Sequence, residues 1–286
     1  MGFKQLLQAK LSEKAIVPSE LLDLVPRGFQ DLQHRIIIKL HSNLVPYAKE
    51  IAELIPQILP HVIAVWNRTG EIEGRYRQPM GLVHLWGDSS TEITITENHV
   101  RYKFDFTKIM FAKGNATERN RIPKKVCKGE IIIDMFTGIG YFSLGMAKTR
   151  LPQKIYSIEW NPTAFHYLQE NVKLNHVEEI IEPIFGDCRE IVPNLVEKGV
   201  LADKIIMGLL PEPVDAIPAA LTAVKPEGTL IIYEGVDKKH STRLFDEFNQ
   251  IAQNHGYLCE LREQRIVKNY KPHEYHVVVE IFVTPK

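Results

Sequence analysis

Ile131-Ile-Ile-Asp134-Met-Phe136-Thr-Gly138-Ile-Gly140-Tyr-Phe-Ser-Leu144 is the stretch that decides the fold. Its opening β-branched run has no polar alternation, so it reads as a strand buried on both faces. Two glycines at GxG spacing follow, and residues 141–148 return to a helical pattern. Strand, tight turn and helix open a βαβ unit, and the glycines let the backbone approach a ligand where a side chain would clash. The helix should offer unpaired N–H groups at its start. Phe142 and Ser143 stand where a dinucleotide fingerprint would place its third glycine, which argues against NAD. Asp134 ends the strand, where a carboxylate can accept from an ammonium or a bound water. That suits an amino-acid tail better than a pyrophosphate.

Downstream, the pattern repeats. Strands are expected at 154–159, 180–187, 205–211 and 229–234, with helices at 162–175 and 244–255 and a terminal strand at 276–282. Strands alternating with helices imply a parallel sheet covered on both faces. The second strand ends in Glu159, placed to take both hydroxyls of a ribose, and the third in Asp187, placed to accept from an adenine amine. Three acidic strand ends in order, with the glycine turn, point to a nucleoside ligand.

Upstream, residues 4–14, 19–23 and 47–59 read as helices, and 35–40, 61–66, 83–88, 91–97 and 100–106 as strands, with a hairpin turn at 97–99. Thr117 is available to cap a helix over 117–122. The fold class is therefore α/β, a Rossmann-like domain over 105–286 with a smaller α+β domain over 1–104.

Of 286 residues, 44% are hydrophobic and 24% charged, and the formal net charge is zero. Between His61 and Lys125, 11 Lys and Arg face 7 Asp and Glu. Such a surplus forms either an ordinary solvated face or a surface for a phosphate backbone. Three scattered cysteines give neither a disulfide framework nor zinc spacing. With no signal-like leader and no long apolar run, the chain is expected to be cytoplasmic, away from membranes.

The glycine turn and its acidic partners resemble the class I S-adenosylmethionine (SAM)-dependent transferases over about residues 130–286. The resemblance implies that Asp134, Phe136, Gly138 and Gly140 line the methionine end, that Glu159 holds the ribose, and that Asp187, followed by Cys188, meets the adenine. Trp160 either packs on the adenine face or is a partly buried surface tryptophan.

Lys108-Ile-Met-Phe111-Ala112-Lys-Gly-Asn-Ala-Thr-Glu-Arg119-Asn-Arg-Ile122, Glu159-Trp-Asn-Pro162 and Tyr270-Lys-Pro-His-Glu-Tyr-His276 narrow the resemblance. Together they look like archaeal and eukaryotic enzymes acting on the purine 3′ to the tRNA anticodon. These are the tRNA wybutosine-synthesizing protein 2 family and the related tRNA guanine-37 N1-methyltransferases. The methyltransferases usually carry Asn-Leu-Pro or Asn-Pro-Pro at the fourth strand, where this chain has Gly208-Leu209-Leu210-Pro211. Glycine there looks like the wybutosine branch. It removes an amide that could hold a guanine edge, and brings Gly208 into the cofactor set.

That branch implies transfer of the 3-amino-3-carboxypropyl group of SAM to the tricyclic guanine derivative at position 37 of tRNA(Phe). The alternative is SAM-dependent N1-methylation of guanine-37. Arg119 is the candidate for the tail carboxylate, because its planar fork suits one; it could equally be a surface or phosphate-contacting arginine. Leu209 and Pro211 join it as candidates at the reacting centre. Phe111 and Ala112 should border the same pocket, Ala112 offering only its backbone.

An enamine-like ring carbon needs positioning more than a strong base, so neither a catalytic triad nor a metal is expected. His166, His176, His240, His273 and His276 are read as structural or exposed, with His273 and His276 as candidates for an RNA mouth. The N-terminal module should dock the anticodon arm of the tRNA while the pocket reads a flipped base. The chain is expected to be a monomer.

Overall fold

In the computed structural model, residues 2–70, 72–73, 78–79 and 81–286 are described. Arg75 and Arg77 of the basic segment lie outside them. The chain divides into two compact units, one of Met1–Ile95 with Lys103–Phe111, the other of Thr96–Tyr102 with Ala112–Lys286.

In the first unit, helices α1 (Phe3–Glu13) and α2 (Ala48–Ile58) accompany strands β1 (Gln30–Leu32), β2 (Arg35–Ile38), β3 (Ala64–Arg68) and β6 (Leu82–Gly87). The sheet order is β1-β2-β3-β6, and only the β2–β3 pair is parallel. Ile51, Leu54 and Ile55 recur at helical spacing on α2 and pack with Leu7, Leu11, Ile36, Ile38 and Val65. Residues Ser19–Leu24 form a 3₁₀ turn rather than an α-helix. Two short strands, β4 (Ile72–Glu73) and β5 (Gln78–Pro79), pair with each other. Strands β7 (Glu92–Glu97) and β8 (Val100–Asp105) form a two-stranded sheet. Asn98 and His99 join them with φ of 51° and 63°, the left-handed pair a tight hairpin turn requires.

The second unit carries a seven-stranded sheet of order β11-β10-β9-β12-β13-β15-β14. Its strands are β9 (Ile131–Asp134), β10 (Lys154–Glu159), β11 (Ile181–Phe185), β12 (Lys204–Met207), β13 (Thr229–Asp237), β14 (Tyr257–Lys271) and β15 (Glu274–Pro285). The first five are parallel, which bears out the Rossmann-like reading. Strands β15 and β14 are antiparallel.

Strand β14 was not foreseen. Its half-exposed run carries Glu260, Arg262, Arg265 and Lys268 and lacks the apolar density of a central strand, as befits a sheet edge. The helices are α3 (Ala116–Arg121), α4 (Ser143–Lys148), α5 (Pro162–Leu174), α6 (Cys188–Glu197), α7 (Ile217–Thr222) and α8 (Arg243–Asn254). Helix α3 begins one residue before Thr117, which therefore does not cap it. Ile133, Ile158, Ile205, Ile231 and Val279 form the centre of this core. Among the described residues, no helix is long and apolar enough to cross a membrane.

Candidate functional site

Because β9 to β13 run the same way, their carboxyl ends share one edge of the sheet. Asp134 lies beside Ser157 on one side and Ile206 on the other. It is fully buried. Oδ2 accepts from the Ser143 hydroxyl at 2.7 Å, and Ser143 also meets Ser157 at 2.8 Å and Thr137 at 3.1 Å. This buried hydroxyl network explains a serine in the turn where a dinucleotide site would be tighter. Among the described residues, Oδ1 has no partner of good hydrogen-bond geometry, although the Thr137 hydroxyl and the Phe136 N–H lie near enough to the carboxylate to act on it. An unsatisfied buried acceptor costs about 1–3 kcal/mol, so it is a place where a donor from a ligand would be stabilising. Burial raises the Asp134 carboxyl to about 6, against the Ser143 and Thr137 hydroxyls, which lower it.

Glu159 lies at the end of the neighbouring strand and is 8% exposed. One carboxylate oxygen accepts the Gly138 N–H at 2.8 Å and the other the Asn161 N–H at 2.7 Å. Glu159 therefore anchors the glycine turn, and the Gly138 N–H is not left open. Burial pushes its carboxyl up to about 7, against those backbone bonds. Gly138 (φ 60°) and Gly140 (φ 96°) hold left-handed conformations. A Cβ on Gly138 would meet the Tyr141 ring at 2.6 Å, and one on Gly140 would meet Leu144 at 2.7 Å. The glycines thus admit close packing of the turn on its own helix. Helix α4 starts only at Ser143, later than the pattern suggested, because residues 137–142 complete the turn.

Asp187 differs from the other two acids. It caps α6 by accepting the Arg189 N–H at 3.0 Å, and its carboxylate pairs with the Arg189 guanidinium, which also reaches Asp215 at 2.6 Å. The sequence placed this carboxylate as an open acceptor; in the structure a local cation holds it. Cys188 is buried, and burial pushes its thiol up to about 12, so it acts as an apolar wall rather than a nucleophile. Phe136 is half-buried on the core, and Trp160 is half-buried after Glu159.

Arg119 is not at the surface. It is 4% exposed, and its fork grips Glu97 through Nε at 2.7 Å and Nη2 at 2.9 Å, while Nη1 donates to the Ala112 carbonyl at 3.0 Å. Ala112 thus contributes its backbone, as its lack of a polar side chain requires. Glu97 was read only as part of a turn. Its pairing with a residue 22 positions on carries no local signal.

One residue before Arg119 and two after it, the partners change. Glu118 is fully buried and pairs with Arg121 and Arg265, and Arg121 and Lys125 both reach Glu280 and Glu263. Phe111 falls in the first unit, stacked on Phe104 at 5.2 Å. Tyr141, missed by the sequence reading, has a hydroxyl that burial shifts strongly upward, with Arg119 opposing and Glu159 adding to the shift. Gly208 follows β12; a Cβ there would meet the Phe142 ring at 2.7 Å. Leu209 is half-buried and Pro211 exposed, with a cis bond between Leu210 and Pro211.

Much of the basic segment is engaged at close range. Besides the pairs above, Lys103 meets Glu92, Lys108 meets Asp105, and Arg101 donates to the Leu174 carbonyl. His276 overturns the RNA-mouth reading: it is fully buried and lies 3.3 Å from Glu234. His273 sits exposed in the β14–β15 turn. In the first unit, Asp31, His34 and His61 bring potential ligand atoms within 4.8 Å, a grouping hidden from the sequence spacing. Both histidines are exposed and Asp31 already accepts the His34 N–H.

Residues 93–260 match the TRM5/TYW2 methyltransferase domain, and residues 6–90 match the TYW2 N-terminal domain. The tRNA(Phe) (4-demethylwyosine(37)-C(7)) aminocarboxypropyltransferase of Pyrococcus horikoshii is 32% identical over 99% of this chain and 98% of its own. The tRNA 4-demethylwyosine(37)-methyltransferase Taw21 of Saccharolobus solfataricus is 37% identical over 81% of this chain and 84% of its own. The crystal structure of P. horikoshii TYW2 in complex with MeSAdo superposes with a TM-score of 0.81 at 30% identity, covering 99% of this chain and all of that one.

Proposed function

This chain belongs to the TRM5/TYW2 methyltransferase-domain family, and from that premise we propose that it moves the 3-amino-3-carboxypropyl group of S-adenosylmethionine to carbon 7 of the tricyclic guanine derivative at position 37 of tRNA(Phe). The observation that carries this choice is Gly208 at the end of β12, with the Phe142 ring filling the space that a side chain would need. The amide by which a guanine edge would be held for methylation is missing, and an aromatic face stands there instead.

The residues at the edge fit the cofactor. The unpartnered Oδ1 of Asp134 suits the tail ammonium, and the Glu159 carboxylate suits the ribose hydroxyls. S-adenosylmethionine supplies an electrophilic carbon next to a sulfonium, and the carbon presented to the nucleophile decides which group moves. Holding the tail falls to Asp134 and Arg119. Glu97 already occupies the Arg119 fork, so the tail carboxylate must exchange with Glu97 or bind at its margin. Phe136, Trp160 and Cys188 line the nucleoside path, and Leu209 and Pro211 flank the target base. The acidic end near Asp187 meets adenine only if Arg189 yields. The N-terminal part, residues 1–104, positions the anticodon arm, and the protein works as a cytoplasmic monomer.

The test uses tRNA(Phe) bearing the tricyclic precursor and cofactor labelled in either its carboxyl or its methyl group. Carboxyl label in RNA with methylthioadenosine as coproduct is the expected result. Methyl label in RNA with S-adenosylhomocysteine would overturn it in favour of methylation of guanine-37 or of the tricyclic base.

A further inference from the structure

We propose that Glu234, with His276 beside it, accepts the proton that the target ring carbon must lose. This rests on the reaction proposed above. Glu234 is 2% exposed on β13 and His276 is fully buried on β15. The antiparallel register sets Glu234 opposite Val278 and Val236 opposite His276. Positions 234 and 276 are therefore diagonal neighbours on one face of the sheet. His276 Nε2 lies 3.3 Å from Glu234 Oε2. Among the described residues, Glu234 Oε1 and both ring nitrogens of His276 have no hydrogen-bond partner, so the two side chains approach closely without a hydrogen bond. A pair this deep, with acceptor capacity unused, stabilises the fold poorly compared with apolar packing. Its place in the sheet supplies another use.

Met207 on β12 pairs with Tyr233 on β13, so Gly208 and Glu234 are the next residues at the carboxyl edge. A Cβ built on Gly208 would stand 3.7 Å from Glu234 Oε2. A side chain at 208, an asparagine included, would meet the Phe142 ring at 2.7 Å first and the carboxylate next. With glycine, the Phe142 ring and the Glu234 carboxylate both border the end of β12, and a base seated against that ring would lie beside the carboxylate. Other charged groups that act on this region are Asp134 from β9 and Lys268 from β14. Lys268 is itself held by Asn115 at 2.6 Å, which leaves Glu234 as the carboxylate nearest Gly208.

Carbon 7 attacks the terminal carbon of the aminocarboxypropyl group. A C–C bond forms, the C–S bond breaks, and sulfur departs with the bonding pair as neutral methylthioadenosine. The base, now cationic, gives the carbon-7 proton to the Glu234 carboxylate, and the C–H pair restores the ring. His276 touches no reacting atom and is a positioning residue. Its ring stands 3.3 Å from Oε2 and would fix the carboxylate by closing that contact into a hydrogen bond.

The experiment compares wild type, Glu234→Gln, Glu234→Asp and His276→Gln with precursor tRNA carrying hydrogen or deuterium at carbon 7. Cofactor affinity is measured by calorimetry and folding by thermal denaturation. Glu234→Gln should keep the denaturation midpoint and the affinity for methylthioadenosine within about twofold, while single-turnover transfer falls about 10²- to 10⁴-fold. Glu234→Asp should recover part of that rate. His276→Gln should slow transfer less and reveal a deuterium isotope effect that wild type masks. Transfer by Glu234→Gln at the wild-type rate overturns the assignment and leaves the reaction itself standing. Loss of transfer together with cofactor affinity, unrelieved in Glu234→Asp, also overturns it, since that is the mark of a structural role. S-adenosylhomocysteine from wild type instead overturns the reaction on which the proposal rests.

Discussion

Two ends of the same sheet edge use the same residue type in opposite ways. At the glycine turn, Asp134 and Glu159 are buried, hydrogen-bonded to hydroxyls or backbone N–H groups, and raised toward neutrality by desolvation. One strand beyond Glu159 and two beyond Asp134, Asp187 is partly exposed and neutralised by an arginine two residues on. An acid at a strand end is thus no single signal. Among the described residues, the first pair has no salt-bridge cation, and under the proposed function it takes a cationic, hydroxyl-rich ligand. The third carries its own counter-ion and can be reached only by displacing it.

The most severe way to break this contrast is Glu159→Ala. It removes a buried acceptor from the ligand and strands the Gly138 and Asn161 N–H groups. Loss of charge-assisted bonds worth about 2–3 kcal/mol should weaken cofactor binding roughly 30- to 150-fold by calorimetry. Affinity for tRNA should stay near wild type; unchanged cofactor affinity would show that the ribose is held elsewhere.

Glu97→Ala and Arg119→Ala sharpen the next point. If Glu97 serves to hold Arg119, both variants should cut aminocarboxypropyl transfer, by roughly 10-fold or more, with a smaller loss in adenosine affinity. Full transfer by Glu97→Ala would mean that Arg119 needs no clamp, and an Arg119→Ala defect confined to tRNA affinity would remove it from the tail.

The buried acids also set a pH dependence. Their carboxyls titrate near 6 and 7, above ordinary values of 3.8 and 4.5. The neutral forms are favoured in the folded chain, so this contribution to stability is full below about pH 4 and is lost as pH rises through 6 and 7. Cofactor binding needs the ionised forms and should tighten over the same interval with proton release. Calorimetry in buffers of different ionisation enthalpy measures that release, and a binding curve flat from pH 5 to 8 would contradict it.

The smallest effect belongs to the exposed end. Arg189→Ala should change stability by less than about 1 kcal/mol and alter cofactor affinity no more than a few-fold, upward if Asp187 is thereby freed for adenine. A large loss would mean that Arg189 itself contacts the ligand.

The glycine turn, the acid ends of β9 and β10 and the alternation of strand and helix were legible because each is a short-range pattern. Strand β14 was not, because an edge strand with charged residues on both faces lacks the period that marks a buried one. Helices α6 and α7 passed unmarked, the first because it carries Pro193, a residue that argues against a helix interior, and the second because it is only six residues long.

By itself, the sequence determined where a buried strand must turn and where a carboxylate must stand at its end, since hydrophobic period and glycine conformation act within a few residues. Tertiary structure alone decided what each charge would meet. Glu97 on Arg119, Glu280 on Lys125 and His276 on Glu234 are partners brought together by strand register and packing across tens of residues. Burial and counter-ion, which set whether a carboxylate is open, clamped or poised, exist only once those distant segments are side by side.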